Sequence, residues 1–390
     1  MKVCWGIFLF ASVLLHFFPM AMGQNGFHPS SEEKQREGAK MPSSAEMRIE
    51  KCEKVIAVKG GGYFPVLIKL KNGELCAVVR GGAPHIGEGG RLDLIKSSDG
   101  GRTWSEPRTI ANIPPDSRNP AFGQSKKGTL ILAFAVTGPY ENGQFTLKSQ
   151  EYTVWITRSF DNGETWEKPY RIELSPLQYA SPYGKIVQLE DGTLLMNIYA
   201  WFIAEPGESL PPERQGVFSY VLRSRDDGKT WGEPTLIARH FDETTLLPLG
   251  KNRVLAIMRG EKSDGLWQSI SQDGGLNWSE PRRITEGPRL PADAILLKSG
   301  AILLTYGRRL PPYGVEGMLS YDGGMSWDSD NRFLLEWEAK NPDCGYPSSV
   351  QLDDGTIITI YYGVGHLKYT DLNEYAICAI YREDSLKPAK

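Results

Sequence analysis

The chain has 390 residues with a formal net charge of −3, and it contains 42 glycines, 26 prolines and 10 tryptophans. This turn-rich, aromatic composition is typical of all-β repeat proteins. The small charge and the lack of a basic run argue against a nucleic-acid-binding protein. No Cys/His pattern has zinc spacing, and no nucleotide-binding loop or Gly-x-Ser-x-Gly elbow occurs, so the sequence predicts no metal and no cofactor.

The first 23 residues have the features of a secretory signal peptide. Lys2 precedes an apolar run at residues 3–18, and small residues occur at its end. These features predict cleavage before Gln24 and a secreted or periplasmic protein, without stable membrane insertion of the mature chain. A membrane anchor is the alternative interpretation. Residues 24–50 are polar, which favours a flexible leader before a single domain at residues 51–390.

Six pairs of short apolar segments follow, each joined by a two-residue turn. Such pairs predict β-hairpins. The turns lie at residues 72–73, 127–128, 191–192, 251–252, 299–300 and 354–355.

A second motif recurs between these hairpins. It has the form Ser-x-Asp-x-Gly-x-x-Trp, in which the Asp accepts backbone hydrogen bonds, the Gly supplies a positive φ and the Trp folds back as an apolar plug. Its five copies lie at residues 97–104, 159–166, 224–231, 271–278 and 320–327. Repeats at intervals of roughly 50–65 residues indicate a repeat architecture. We therefore predict an all-β, six-bladed β-propeller with five such hairpins, closed by an N-terminal strand at residues 54–58.

Four cysteines follow the predicted signal peptide. Two of them, Cys52 and Cys378, flank the segments expected to close the ring. A disulfide between them is compatible with an exported protein. Four separate thiols are the other interpretation.

The motif that occurs five times is the Asp box, or BNR repeat. With this motif the chain resembles the sialidase superfamily of β-propellers. In a propeller the first strand of each blade lines the central axis, and a ligand binds at one mouth of that axis. Counting nine residues back from each hairpin turn gives one position per blade. These positions are Phe64, Asn119, Tyr183, Glu243, Pro291 and Tyr346. A glutamate and two tyrosines at equivalent heights favour a polar pocket.

The resemblance implies roles for four residues. Tyr346, in Tyr-Pro-Ser-Ser-Val, matches the segment that holds the sialidase nucleophile, and Glu243 matches the carboxylate that takes its proton. Such help is needed because a tyrosine hydroxyl is a weak nucleophile near neutral pH. Arg259 and Arg308 match the second and third arginines of the substrate clamp.

The chain departs from the family pattern at two places. Tyr63 stands where sialidases have the first arginine of the clamp, and Arg118 is its expected substitute. The loop at residues 81–90 has no aspartate to act as acid/base, so His85 or Glu88 is expected to move the proton. The other candidate substrate-binding residues are Arg80, Arg91, Asn119, Tyr183 and Asp293.

Three functions remain open at this point. The first is an exo-acting glycoside hydrolase for a sialic, uronic or sulfated sugar at a glycan terminus, with Tyr346 as nucleophile and arginines holding the acidic group. The second is a dehydratase or lyase that eliminates water or a sugar from oligosaccharides containing uronic acid, with His85 and a tyrosine as acid and base. The third is a glycan-binding propeller without activity, which would not require the Tyr346–Glu243 pair.

Overall fold

The computed structural model describes residues 47–49, 51–138, 140–142, 144–145, 151–175, 177, 179–204 and 207–386. The predicted signal peptide at residues 1–23 lies outside the described residues, as does the predicted leader apart from residues 47–49. Across the described ranges, no helix is long and apolar enough to span a membrane.

The regular structure of the described residues is almost entirely β-strand. Two short 3₁₀ helices, Pro212–Arg214 and Glu383–Leu386, are the exceptions. The strands are β1 (Met47–Arg48), β2 (Glu53–Lys59), β3 (Tyr63–Lys69), β4 (Leu75–Gly81), β5 (Arg91–Ser97), β6 (Arg108–Ala111), β7 (Asp116–Gln124), β8 (Leu130–Gly138), β9 (Tyr140–Glu141), β10 (Gln144–Phe145), β11 (Glu151–Ser159), β12 (Tyr170–Arg171), β13 (Tyr179–Gln188), β14 (Leu194–Trp201), β15 (Phe218–Ser224), β16 (Gly232–Arg239), β17 (Phe241–Gly250), β18 (Arg253–Gly260), β19 (Leu266–Ser271), β20 (Arg282–Arg283), β21 (Arg289–Leu296), β22 (Ile302–Arg308), β23 (Tyr313–Ser320), β24 (Phe333–Ala339), β25 (Cys344–Gln351), β26 (Thr356–Val364) and β27 (Glu374–Arg382).

These strands form antiparallel groups of four in chain order. Three separate four-stranded sheets have the orders β3-β4-β5-β6, β17-β18-β19-β20 and β2-β27-β26-β25, and a five-stranded sheet has the order β1-β24-β23-β22-β21. One eight-stranded sheet, β12-β11-β8-β7-β13-β14-β15-β16, contains two such groups, joined by a short parallel pairing of β7 with β13. β9 and β10 form a ribbon of their own. Six separate blades were predicted, whereas the structure has four separate sheets and one double sheet.

The first strands of the successive groups lie side by side around a common axis. β3 packs against β7, and the contacts continue through β13, β17 and β21 to β25, which packs against β3. The all-β class and the β-propeller arrangement are thus confirmed.

The N-terminal strand closes this ring. β2 pairs antiparallel with β27, with Val55 opposite Cys378, which confirms the closing strand predicted at residues 54–58. Apolar side chains of the first and last sheets, among them Leu67 and Ile358, form one buried cluster across the closure. The four cysteines within the described residues are free thiols, so no disulfide joins Cys52 to Cys378.

The Asp boxes form the predicted turns. In the first copy, Asp99 Oδ1 accepts hydrogen bonds from the backbone N–H groups of Arg102 and Thr103 at 3.0 and 2.9 Å. The Trp104 indole N–H donates to the carbonyl of Gly101 at 3.0 Å. Gly101 has a φ of 88°, a conformation that glycine adopts without strain. These contacts close each turn on itself at the rim of the propeller.

Candidate active site

All six inner strands are irregular, five of them near their first residues, at one mouth of the axis, and β13 between Tyr183 and Val187. Each has a shift in its pairing with the next strand, as between Gly345 and Ser348 in β25. Such bulges change the direction of a side chain within a sheet. At Phe64, Asn119 and Tyr346 the backbone has φ values of 53°, 49° and 49°. Positive φ is uncommon for residues other than glycine and is found preferentially at functional sites.

The central feature of this mouth is the contact between Tyr346 and Glu243. The Tyr346 hydroxyl donates a hydrogen bond of 2.6 Å to Glu243 Oε1. Arg259 Nη1 donates to the other carboxylate oxygen, Oε2, at 2.7 Å. The three side chains are buried, with 5% of each residue exposed. The structure therefore brings together three of the residues that the sequence predicted, Glu243 and Arg259 from one blade and Tyr346 from another.

Burial shapes the protonation of this group. It raises the pKa of the Tyr346 hydroxyl well above its ordinary value, and the charge of Glu243 raises it further, against the opposing effect of Arg259. A neutral tyrosine hydroxyl next to an acceptor carboxylate can become a nucleophile only by giving up its proton to that carboxylate. Burial also raises the pKa of the neighbouring Asp242 to about 7, although Arg259 acts to lower it.

Arg309, which sequence analysis missed, lies at the mouth. Its guanidinium carbon is 5.5 Å from the centre of the Tyr346 ring. Its Nε and Nη2 atoms are buried and have no hydrogen-bond partner among the described residues. Nearby cations with unused donors are suited to an anionic ligand.

Arg308, the predicted third arginine of the clamp, lies elsewhere. Its Nη1 donates to Glu316 at 2.8 Å, and its Nε donates to the carbonyl of Pro312 at 3.0 Å. These bonds hold the Arg308 guanidinium within its own blade, and its binding of substrate stays a prediction. Successive residues of a strand point to opposite faces. Arg308 therefore forms a buried ion pair, whereas Arg309, one residue later, lies at the mouth.

His85 lies beside this group and has a partner that was not predicted. Its Nδ1 is 2.7 Å from Asp343 Oδ1, which also accepts a hydrogen bond of 2.6 Å from the Tyr362 hydroxyl. His85 Nε2 is buried without a partner among the described residues. The centre of the Phe64 ring lies 4.9 Å from the ring centres of both His85 and Tyr346.

The protonation of His85 is set by two opposing effects. Burial lowers the pKa of the imidazole below its ordinary value of 6.5, and the Asp343 carboxylate partly offsets this. The pKa of Asp343 is lowered to about 2 because the His85 and Tyr362 interactions outweigh its own burial. Asp343 is therefore an anion that holds the Nδ1–H of a neutral His85, which leaves the Nε2 lone pair available.

Arg80 supports the loop that carries His85. It is fully buried, and its guanidinium donates to the carbonyls of Ala83 and Gly87 at 3.1 Å. It also pairs with Asp116 Oδ1 at 2.8 Å. These bonds use the Arg80 donors within the protein, and its binding of substrate stays a prediction.

Arg118 lies closer to the mouth. It is fully buried, with its guanidinium carbon 5.6 Å from the centre of the Phe64 ring. Its Nη1 donates to the Tyr140 hydroxyl at 3.2 Å. Its Nη2 has no partner among the described residues. Tyr63, in the place of the family's first arginine, packs against the Tyr362 ring.

Below the mouth, the axis holds a cavity of about 20 Å³ lined by Phe64, Asn119, Tyr183, Asp293 and Tyr346, room for about one water molecule. Asn119 Nδ2 donates to the Tyr199 hydroxyl at 2.9 Å, and the Tyr183 hydroxyl donates to the Ala292 carbonyl at 3.3 Å.

Three other candidates are held in internal contacts. Asp293 Oδ2 accepts hydrogen bonds from Lys185 Nζ at 2.6 Å and from the Ser349 N–H at 2.7 Å. Glu88 is exposed and accepts a hydrogen bond from the Tyr140 N–H, and Arg91 pairs with Asp93 on β5. The structure gives these three residues partners within the protein, and their roles in substrate binding and proton transfer stay predictions.

Within the part of the chain that the structure describes, one set of residues has metal-ligand character, and it lies away from the mouth. Glu336, Glu338 and His366 offer ligand atoms within 4.8 Å of one another. Glu336 already binds Lys54 Nζ at 3.0 Å and the Tyr361 hydroxyl at 2.7 Å. The lysine supplies the positive charge there, so these residues form a polar contact between β24 and the closing strands.

Asp343, Tyr362 and Arg309 carry weak signals in the sequence. Asp343 precedes Tyr346 by three residues, and Arg309 directly follows the arginine that was chosen. Each becomes a candidate only through a partner on another blade.

Comparison with known proteins agrees with the repeat pattern. The BNR repeat-like domain family matches residues 113–359. A sialidase from Bacteroides fragilis (strain YCH46) is 22% identical over 314 residues, which cover 71% of this chain and 55% of the relative. The chain thus spans about half the length of that relative.

Solved structures share the fold. A protein of unknown function from Dyadobacter fermentans DSM 18053 superposes with a TM-score of 0.71 at 23% identity, covering 85% of this chain and 98% of the other. A Hadza microbial sialidase gives a TM-score of 0.66 at 18% identity, covering 83% and 66%. Because the family match extends over more than half of the chain, the protein belongs to the BNR repeat-like domain family and is a divergent member of the sialidase superfamily.

Proposed function

We propose that the protein is an exported, exo-acting glycoside hydrolase that releases an acidic sugar from the end of a glycan. The observation that carries this proposal is the buried contact of 2.6 Å between the Tyr346 hydroxyl and Glu243, whose second oxygen binds Arg259. The sialidase names of relatives such as the Bacteroides fragilis protein support it. Tyrosine nucleophiles are a known exception to the two-carboxylate rule for glycosidases.

In the first step, Tyr346 Oη forms a bond to the anomeric carbon while its proton passes to Glu243. The bond from the anomeric carbon to the leaving oxygen breaks, and that oxygen takes a proton from the protonated Nε2 of His85. Water then attacks the anomeric carbon and gives one proton to His85. Tyr346 leaves and recovers its own proton from Glu243. Atoms and charge balance over the two steps, and the anomeric configuration is retained.

Asp343 is a positioning residue in this scheme. By accepting the His85 Nδ1–H at 2.7 Å, it fixes the imidazole with Nε2 free for the leaving oxygen. Its negative charge also favours the protonated form of His85, against the effect of burial. Tyr362 holds the same Asp343 oxygen and restrains the carboxylate.

The acidic group of the sugar is held by Arg309 and Arg118. Both have buried donor atoms without protein partners among the described residues, and arginine binds a carboxylate or sulfate through a planar fork. Arg259 is engaged with Glu243 and adds positive charge. The proposal replaces the predicted Arg308 with Arg309 and keeps Arg118 as the substitute for the family's first arginine.

Elimination from a uronic acid is the second candidate, and one observation favours it. Burial lowers the pKa of His85, so the residue is neutral near pH 7, and a neutral imidazole with a free Nε2 is a base. His85 then takes the C5 proton, the bond from C4 to the leaving oxygen breaks, Tyr346 protonates that oxygen, and the ring gains a C4–C5 double bond.

The same proposal includes the architecture and the export of the chain. We count the eight-stranded sheet as two blades, which gives six in total, because its halves have the strand order of the separate sheets. The sequence of residues 1–23 supports export through a cleaved signal peptide, to the periplasm or the medium.

The test is a paired assay on the mature protein. A sialoside and oligosaccharides containing uronic acid are supplied, while released sugar and near-ultraviolet absorbance of unsaturated products are recorded together. We expect released sugar without absorbance. Rising absorbance would establish elimination instead, and a protein that binds these glycans without product on either readout is a binding module.

Tyr346→Phe keeps the ring and removes the hydroxyl, so we expect turnover to be lost. Tyr321→Phe is the matched control, because Tyr321 is 59% exposed on an Asp-box turn. The hydrolase also predicts a glycosyl adduct on the peptide containing Tyr346 after rapid quenching. Full activity of Tyr346→Phe would overturn the assignment of the nucleophile.

A further inference from the structure

The opposite end of the axis forms a wide funnel. The inner strands end there, and the hairpin turns that follow them enclose a space of about 880 Å³. The side chains of Tyr346 and His85 do not line it. This funnel is separate from the candidate active site.

The walls of the funnel are strongly basic. Among the described residues, five lysines and one aspartate, Asp353, line it, and the lysines are Lys69, Lys71, Lys126, Lys185 and Lys298. Lys69 pairs with Asp353 and Lys185 pairs with Asp293, so the excess positive charge comes from the other three, which lie on the turns. The whole chain has a formal net charge of −3, so this excess of positive charge is local. A concave surface lined by one sign of charge concentrates counter-ions.

The ammonium groups on the turns are held in place. Lys126 Nζ donates to the carbonyls of Leu189 and Glu190 on the next turn, at 2.9 and 3.1 Å. Lys71 Nζ reaches the carbonyl of Lys126 in the same way, and Lys298 Nζ reaches that of Asp353. An ammonium group has three donors, and these contacts use one or two of them. Each lysine therefore keeps at least one donor for a ligand.

A repeated glutamine fixes the backbone that carries these lysines. Gln124 Oε1 accepts the N–H of Lys71 at 2.9 Å, Gln188 Oε1 that of Lys126 at 2.6 Å, and Gln351 Oε1 that of Lys298 at 2.8 Å. Three blades thus present a lysine with the same local geometry. This order lowers the entropic cost of gathering several cations around one ligand.

We propose that this funnel binds a compact anion carrying several sulfate, phosphate or carboxylate groups. Lysine acts as a point charge with adjustable donors, which suits groups of differing geometry arranged around a ring. No aromatic residue and no arginine is among the lining residues. Proteins that bind single-stranded nucleic acid use aromatic side chains for base stacking, so a small polyanion fits better than a nucleic acid.

The test is isothermal titration of the full mature protein with inorganic tripolyphosphate and, separately, with a heparin-derived hexasaccharide. We expect saturable binding of at least one probe, weakened by added salt. Binding of tripolyphosphate alone would indicate a free phosphate ligand. Binding of the hexasaccharide alone would indicate an anionic glycan. Saturable binding of neither probe would overturn the proposal.

The variants locate the site. Lys71→Gln with Lys298→Gln removes two funnel charges, and we expect affinity to fall by about tenfold or more. Lys168→Gln with Lys229→Gln makes the same change in net charge at two exposed lysines outside the funnel and should leave affinity unchanged. Equal losses in both double variants would show binding to the general surface and overturn the proposal.

Asp353→Asn provides a test in the opposite direction. The Asp353 side chain is 86% exposed, so its neutralisation leaves the fold intact, and we expect tighter binding. Weaker or unchanged binding would contradict the funnel site. Tyr346→Phe should bind the probes as the unmodified protein does, so failure of this proposal and failure of the proposed function are distinguishable.

Discussion

The Asp-box turns at the rim and the residues at the mouth of the axis are built in opposite ways. In the second box, Asp161 Oδ1 accepts the N–H of Thr165, four residues away, at 2.9 Å. At the mouth, Tyr346 and Glu243 are 103 residues apart, and His85 and Asp343 are 258 apart. The rim is made mainly of contacts within single turns, with a few bonds from neighbouring blades such as that of Gln268 Nε2 to the Gly324 carbonyl, and the mouth exists only when the ring has closed.

This difference determines what a substitution does. A change at the rim affects one turn and the few contacts that a neighbouring segment makes with it, because the Asp side chain of each box bonds the backbone of its own turn. A change at the mouth affects a group shared by several blades, where the chemistry is expected to take place. Stability and activity should therefore respond separately, and the following substitutions test that separation.

The largest effect is expected for Glu243→Gln. Glutamine has the shape of glutamate but cannot take the proton of Tyr346, so kcat should fall by about 10²–10⁴-fold. Glu280→Gln, at an exposed position, is the control. Steady-state kinetics measure kcat, and thermal unfolding measures the stability of each variant. Unchanged kcat in a folded Glu243→Gln protein would contradict the role of this carboxylate.

The pH profile tests His85 and Asp343. Hydrolysis requires protonated His85, so its rate should fall as pH rises through the His85 pKa, which burial places below 6.5. Elimination requires the neutral form, so its rate should rise through the same pKa. Asp343→Asn removes the negative charge that favours the protonated form of His85, so the fall in the hydrolysis rate should occur at lower pH. The rate itself should decrease by about 10²-fold. Burial raises the pKa of Asp242 to about 7, so this carboxyl also titrates in the pH range of the profile. The pH profile of Asp242→Asn shows which part of the pH dependence comes from Asp242.

Two adjacent arginines give the sharpest comparison. Arg309→Gln removes donors at the mouth, and we expect kcat/KM to fall about 10–100-fold with little change in stability. Arg308→Gln breaks a buried pair with Glu316 and should lower the free energy of unfolding by about 3 kcal/mol. Chemical unfolding and kinetics on both variants measure these effects. The reverse pattern would restore Arg308 as the ligand-binding residue.

The sequence predicted the fold better than the site, for the same physical reason. An Asp box is complete within eight residues, and its five copies confirm one another. Tyr346 and Glu243 were found because both sit at a fixed distance from their hairpin turns. Arg309 and Asp343 were missed because the groups that they contact, Tyr346 and His85, lie on other blades, and contacts between blades are not visible in the sequence.

The smallest effect is expected for Ser271→Ala in the fourth Asp box. Ser271 is buried, and its Oγ accepts the N–H of Gly275 at 2.7 Å. Alanine leaves that buried donor without a partner, which should lower the free energy of unfolding by about 1–3 kcal/mol. Ser329→Ala, at an exposed serine, is the control. Because the turn is satisfied within itself, kcat and KM of Ser271→Ala should equal those of the unmodified protein, and altered kinetics would show that the rim and the mouth are coupled.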